Sequence, residues 1–140
     1  MSAENKAVVR RLIEAFNQGK LDEAASLVAS DYVWHGPGAE AHGPEGWKQV
    51  AAMYRNAFPD VVCTIDDQIA ECDKVATRFT ARGTHRGELG GVAASGRFVT
   101  VPCLVLTRIV NGRIVEDFEV FDQLGMFQTI GTVPVSAASA

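Results

Sequence analysis

Apolar residues recur at three- and four-residue steps from the start of the chain, where Val8, Val9, Leu12, Ile13 and Phe16 form one stripe. That period is one face of an amphipathic helix, predicted near residues 3–18 and ended by Gly19. Leu21, Ala24, Ala25, Leu27 and Val28 repeat the pattern and predict a second helix near 21–29, broken by Ser30 and Asp31. Tyr32, Val33, Trp34 and His35 are a β-prone run closed by Gly36, Pro37 and Gly38, a brief strand entering a loop. Pro44 and Glu45 open a third helix near 44–58, with Trp47, Val50, Ala51, Tyr54 and Phe58 on one side and Pro59 as its stop. Beyond Pro59 the period becomes two. Four alternating runs, about 61–71, 75–86, 97–110 and 113–122, predict strands joined by Cys72-Asp73-Lys74, by the longer connection 87–96 and by the hairpin signature Asn111-Gly112. Helices first and an antiparallel four-stranded meander afterwards is the order of an α+β fold, in which a curved sheet wraps around helices packed on its concave face.

The length of 140 residues and 47% hydrophobic content fit one cored domain over residues 1–133, with 134–140 as a flexible tail. A net charge of −4 and no basic run beyond Arg10-Arg11 exclude a nucleic-acid partner. No apolar run approaches the ~18 residues of a membrane span, and the polar N-terminal turns carry no export signal. Cys63, Cys72 and Cys103 are odd in number and sit among apolar or strand-like neighbours. They suit buried reduced thiols and a cytoplasmic location.

The last alternating run holds the densest chemistry. Strict alternation from Ile114 puts Glu116, Phe118, Val120 and Asp122 on one face and Val115, Asp117, Glu119 and Phe121 on the other. With the first face inward, Asp122 is a partly desolvated general base lined by Phe118 and Val120. By residue type alone, Asp122 serves equally as a cap for the turn Gln123-Leu124-Gly125. The hairpin admits two closures. A two-residue turn pairs Val110 with Arg113 and sets Cys103, Val105 and Thr107 on the Asp122 face; a bulged three-residue loop brings Leu104, Leu106 and Arg108 there instead. Inside, Arg108 would hold an oxyanion; outside, it is a solvated strand charge.

His35 stands where helices and sheet should meet, a position for proton relay. His85 shares the alternating face of Val75, Thr77, Phe79 and Ala81 and is expected to point inward, whereas His42 lies in a loop. His35, His42 and Asp31 or Glu40 match no standard ligand spacing, so no metal is expected. No nucleophile elbow and no phosphate loop occur, so neither covalent catalysis nor a nucleotide cofactor is expected. Phe16, Trp34, Tyr54 and Phe58 are core aromatics that can also line a pocket.

The segments GTHRGELGGVAASGR (83–97) and TRIVNGRIVEDFEVFDQLGMFQTIG (107–131), with Asp-Tyr-Val-Trp-His-Gly-Pro-Gly (31–38) and the helical start, resemble the SnoaL-like polyketide cyclases of the nuclear transport factor 2-like superfamily. The resemblance implies a cone-shaped α+β barrel, acid and base chemistry without a cofactor on a small apolar organic substrate, and homo-oligomers packed through the outer sheet face. It matches Asp122 to the family's catalytic aspartate and favours the bulged hairpin, because Arg108 stands where those cyclases carry a pocket histidine. His35 matches a polar pocket position. The resulting expectation is a cofactor-independent cyclase or isomerase. Its catalytic residues are Asp122, His35 and Arg108, and Phe16, Trp34, Tyr54, Phe58, His85, Leu106, Phe118 and Val120 hold the substrate. The alternatives are an epoxide-opening enzyme, with Glu116 as second acid, and a non-catalytic binding module.

Overall fold

The computed structural model describes residues 2–131; the expected tail at 134–140 lies outside them. Helix α1 (Ser2–Asn17) buries Val8, Val9 and Ala15. Helix α2 (Leu21–Ala25) is shorter than the periodicity predicted. Leu27 and Val28 leave it to join the sheet, Val28 pairing with Ile114 and the Leu27 carbonyl accepting from the Ile114 N–H at 2.9 Å. A helix this short has little stability of its own, so pairing with a central strand prevails over continued helix.

Strand β1 (Val28–Gly36) and strand β2 (Ala39–His42) form a hairpin around Pro37 and Gly38, where a loop was expected. Helix α3 (Gly43–Ala57) follows with proline in its first turn. Strands β3 (Val62–Glu71), β4 (Lys74–Thr84), β5 (Phe98–Val110) and β6 (Arg113–Phe121) are the expected meander, and helix α4 (Gln123–Ile130) closes the described chain.

The sheet has six strands in the order β2-β1-β6-β5-β4-β3, curved and not closed into a barrel. The four-stranded expectation is corrected because β1 adds in parallel to the open edge of β6, carrying β2 with it. Helices α1 and α3 lie on the concave side. Strand β5 sets the faces: Val99, Val101, Cys103, Val105, Thr107 and Ile109 are all buried, and the residues between them point outward. No helix among the described residues is long and apolar enough to cross a membrane.

The β5–β6 hairpin combines features of both closures read from the sequence. Val110 pairs with Arg113 across a two-residue turn, with Asn111 and Gly112 at φ 52° and 75°. One residue later Val115 bulges out of the ladder, so Ile109 faces Ile114 but Arg108 faces Glu116. The extra residue reverses parity for the rest of the strand. Asp117, Glu119 and Phe121 therefore look inward, and Glu116, Phe118 and Val120 look out, the reverse of the strict alternation.

Candidate active site

A cavity of about 190 Å³ lies between the helices and the concave sheet. Leu12, Ile13 and Phe16 of α1 and Trp47, Val50 and Tyr54 of α3 form its helical side; Cys63, Phe79, Val101, Cys103, Val105 and Phe121 form its sheet side. Its walls are largely apolar; Asp117 and Glu119 reach it from β6, and Thr107 and Arg82 also border it.

These two carboxylates are held by two ring donors of β1 with the same two-residue spacing. Tyr32 donates from its hydroxyl to Asp117 Oδ2 at 2.7 Å, and Trp34 donates from Nε1 to Glu119 Oε1 at 2.9 Å. Parallel neighbours with matched period place each donor beside its acceptor. A Cβ at Gly36 would run into the Trp34 indole, so this glycine leaves the ring the space it occupies. Asp117 is almost wholly buried, and its other oxygen accepts from Thr107 Oγ1 at 2.6 Å. Burial raises its pKa against the pull of those two hydrogen bonds, with the charge of Glu116 adding to the rise. Glu119 differs: no second hydrogen bond joins that from Trp34 among the described residues, and the side chain borders the cavity. Burial lifts its pKa to about 7, the Trp34 hydrogen bond opposing and the Asp117 charge assisting. A carboxyl that titrates near neutrality in an apolar pocket can take up a proton and return it under the same conditions.

A model of the SnoaL-like polyketide cyclases matches residues 6–130. The chain belongs to the SnoaL-like polyketide cyclase family. Aklanonic acid methyl ester cyclase DnrD of Streptomyces peucetius is 31% identical over 130 residues, which cover 89% of this chain and 88% of that protein. Aklanonic acid methyl ester cyclase AcmA of Streptomyces galilaeus is 30% identical over 134 residues, 92% of each. Among solved structures, IdmH from Streptomyces antibioticus is similar at a TM-score of 0.79 and 36% identity, covering 91% of this chain and 99% of that one. AclR from Streptomyces galilaeus is similar at 0.87 and 28%, covering 96% and 100%. The resemblance read from segments 83–97 and 107–131 holds.

Within this SnoaL-like cyclase the expected site residues divide. Phe16, Trp34, Tyr54 and Phe58 line the cavity. Leu106, Phe118 and Val120 do not: Leu106 alternates outward on β5 and the Val115 bulge turns Phe118 and Val120 to the same outer face, where the three are 41%, 50% and 63% exposed. Arg108 goes with them and pairs with Glu116, Nε to Oε1 at 3.6 Å. His35 is on the outer face too, stacked on Phe118 at 4.3 Å with Nε2 2.9 Å from Glu116 Oε2 and Nδ1 3.3 Å from Glu40. Asp122 is exposed and caps α4, accepting from the Gly125 N–H at 2.9 Å, and a Cβ on Gly125 would strike its carboxylate. Asp122, His35 and Arg108 therefore do not converge on the cavity: none of the three is in its lining, His35 alternating outward beside Trp34 on β1 and Arg108 outward on β5.

His85 is fully buried, as its alternation implied, yet lies outside the cavity lining. Its Nδ1 accepts from the Ser95 N–H at 3.1 Å and lies 2.9 Å from Ser95 Oγ, which ties down the connection after β4. Among the described residues no group of three or more His, Cys, Asp or Glu is arranged to hold a metal ion. Cys63 and Cys103 are thiols on the cavity wall; burial pushes Cys63 up to about 12 and Cys103 higher, which keeps both protonated. Cys72 is exposed in a turn, unlike the buried site expected for it. Asp117 and Glu119 were visible in the sequence as the opposite face of the last run. The signal that singles them out is the pair of ring donors Tyr32 and Trp34 at matching spacing, which has meaning only once β1 lies beside β6.

Proposed function

We propose that this chain closes a carbon ring in an apolar polyketide, with Glu119 as the acid and base and no cofactor. The ionised carboxylate takes a proton from a carbon beside a carbonyl, leaving an enolate. The enolate carbon attacks a second carbonyl of the same molecule and a carbon–carbon bond forms. The resulting alkoxide then takes the proton back from the Glu119 carboxyl, so the enzyme ends unchanged. A general base contributes about 10²- to 10⁴-fold, so the C–H attacked must already be acidified by its carbonyl neighbours, as it is in polyketides.

One observation carries the reading: Glu119 offers its carboxylate to a largely apolar cavity, anchored by Trp34 and with no ion pair among the described residues. Epoxide opening requires a second carboxylic acid at the substrate. Asp117, the other carboxylate in the cavity, has its two oxygens engaged by Tyr32 and Thr107, which favours ring closure. The relatives named for aklanonic acid methyl ester make that compound the substrate of first choice. Glu119→Gln keeps the Trp34 hydrogen bond and removes the base, so turnover of aklanonic acid methyl ester is expected to fall at least ~10²-fold. Asp122→Asn should stay within about threefold of the parent, because an asparagine still caps a helix. The opposite ranking returns the role to Asp122.

The partner reading extends to a second copy of the chain. Leu104 faces Val120 and Leu106 faces Phe118 across β5 and β6, an exposed apolar patch on the outer sheet face. Its rows suit burial against an identical sheet. Free thiols at all three cysteines suit a reducing cytoplasm.

A further inference from the structure

Four ring side chains with a polar hydrogen line or support the cavity, Tyr32, Trp34, Trp47 and Tyr54, and only the first two are engaged by a carboxylate. Tyr32 and Trp34 each donate to a carboxylate. Tyr54 lines the same cavity from α3, its ring edge-on to Phe121 with centroids 6.0 Å apart and planes at 89°. Phe121 is the next inward residue after Glu119 on β6, so the Tyr54 ring hangs over the wall that carries the carboxylate. Among the described residues the Tyr54 hydroxyl has no hydrogen-bond partner. A phenylalanine would satisfy these apolar neighbours without bringing a polar group to them, and polar groups inside proteins ordinarily find partners. A hydroxyl left free on the wall of an otherwise apolar cavity is available to a ligand.

We propose that the Tyr54 hydroxyl donates a hydrogen bond to the substrate's carbonyl oxygen as that oxygen becomes an enolate, so that Glu119 and Tyr54 act on neighbouring atoms of one substrate. The inference rests on the Glu119 reading and assigns the second half of the same proton transfer. Electrons released when Glu119 removes the proton move onto the carbonyl oxygen, and the donor holds them there until the new carbon–carbon bond forms. Tyr54 keeps its own proton throughout. Burial, aided by the nearby Glu119 charge, raises the phenol above its ordinary value, which makes it a donor and not a base at neutral pH. A donor aimed at a developing oxyanion contributes most where water is excluded.

The test is Tyr54→Phe, which deletes one oxygen and retains the ring. With aklanonic acid methyl ester, kcat is expected to fall about 10²-fold while KM moves less than about threefold and the melting temperature does not drop. An unchanged kcat with raised KM, or a change explained by a lower melting temperature, would mean that the ring only packs, and overturns the proposal. A second arm needs no turnover: 4-nitrophenolate, an oxyanion that stands in for the enolate, is titrated at pH 8.5 by quenching of the Trp34 and Trp47 fluorescence. Binding about tenfold weaker to Tyr54→Phe supports the donor, and equal binding overturns it. If Glu119→Gln abolishes turnover while Tyr54→Phe leaves kcat intact, the Tyr54 inference alone fails. If Glu119→Gln leaves turnover intact, the Glu119 reading fails and with it the shared mechanism, whatever Tyr54→Phe does.

Discussion

The two faces of β6 carry nearly the same chemistry and do different things. The outer row holds Glu116, Phe118 and Val120; the inner row holds Asp117, Glu119 and Phe121. Glu116 is met by the Arg108 guanidinium at 3.6 Å and by His35 Nε2 at 2.9 Å on the partly exposed outer face. Glu119, three residues on, meets an indole N–H and an apolar cavity. Two glutamates on one strand thus differ by their surroundings alone: a guanidinium, an imidazole and water surround one, while desolvation near a lone donor raises the pKa of the other. Residue type does not separate them, because function belongs to the environment that the fold supplies.

The sharpest test of that contrast is pH. With the Glu119 carboxyl pushed up to about 7, its basic form is lost below neutrality. We expect kcat/KM to level off above that pH and to fall about tenfold per unit below it. The stability sign runs the opposite way. A carboxyl whose pKa is raised on folding, here from 4.5 to about 7, favours the fold below the unfolded value and loses that contribution as pH rises through the folded one. Glu119→Gln should therefore raise the melting temperature at pH 8 by several degrees and change it little at pH 4, as scanning calorimetry would read. A pH-rate profile flat from 5 to 8, or a variant destabilised at pH 8, would break the contrast between the two glutamates.

A smaller effect on turnover, but a clear one on assembly, is expected from the outer row. Phe118→Glu places a charge in the apolar patch opposite Leu106 and away from the cavity. Light scattering should show loss of self-association at micromolar concentration, with turnover per chain within about twofold. A parent protein that is already monomeric removes the role given to this face.

The smallest effect concerns the bulge. Val115 is unpaired, and the ladder on either side of it continues with Arg108 opposite Glu116. Deleting Val115 closes the ladder without turning any later side chain over, so the inner row persists. The melting temperature should drop by only a few degrees and Glu119-dependent turnover should survive. Loss of the fold would mean that the bend given by the bulge, and not its parity, is what the structure requires.

Much of the architecture was legible because it is local. The helix stripes of Val8 to Phe16 and Trp47 to Phe58, the strict alternation of β5 and the Asn111-Gly112 turn each record a preference that acts within a dozen residues. The cavity aromatics were legible for the same reason, since Phe16 and Tyr54 lie on stripes that must face the sheet. Helix α4 leaves little trace in the sequence although its cap, Asp122, is legible there as a turn cap, because an eight-residue helix containing Gly125 has only a weak stripe.

The sequence by itself determined where the two long helices and the four strands of the meander occur, that β5 alternates, and that a carboxylate near the end of the last run is the candidate base. Only the tertiary structure decided which carboxylate. One unpaired residue at Val115 reverses every later side chain, and no residue type announces it. The donors that mark Glu119 and Asp117 come from Trp34 and Tyr32, 85 residues away in the chain for each pair. Parallel pairing of β1 with β6 brings them together, and such long-range pairing is set by the packing of the whole sheet, beyond the reach of local periodicity.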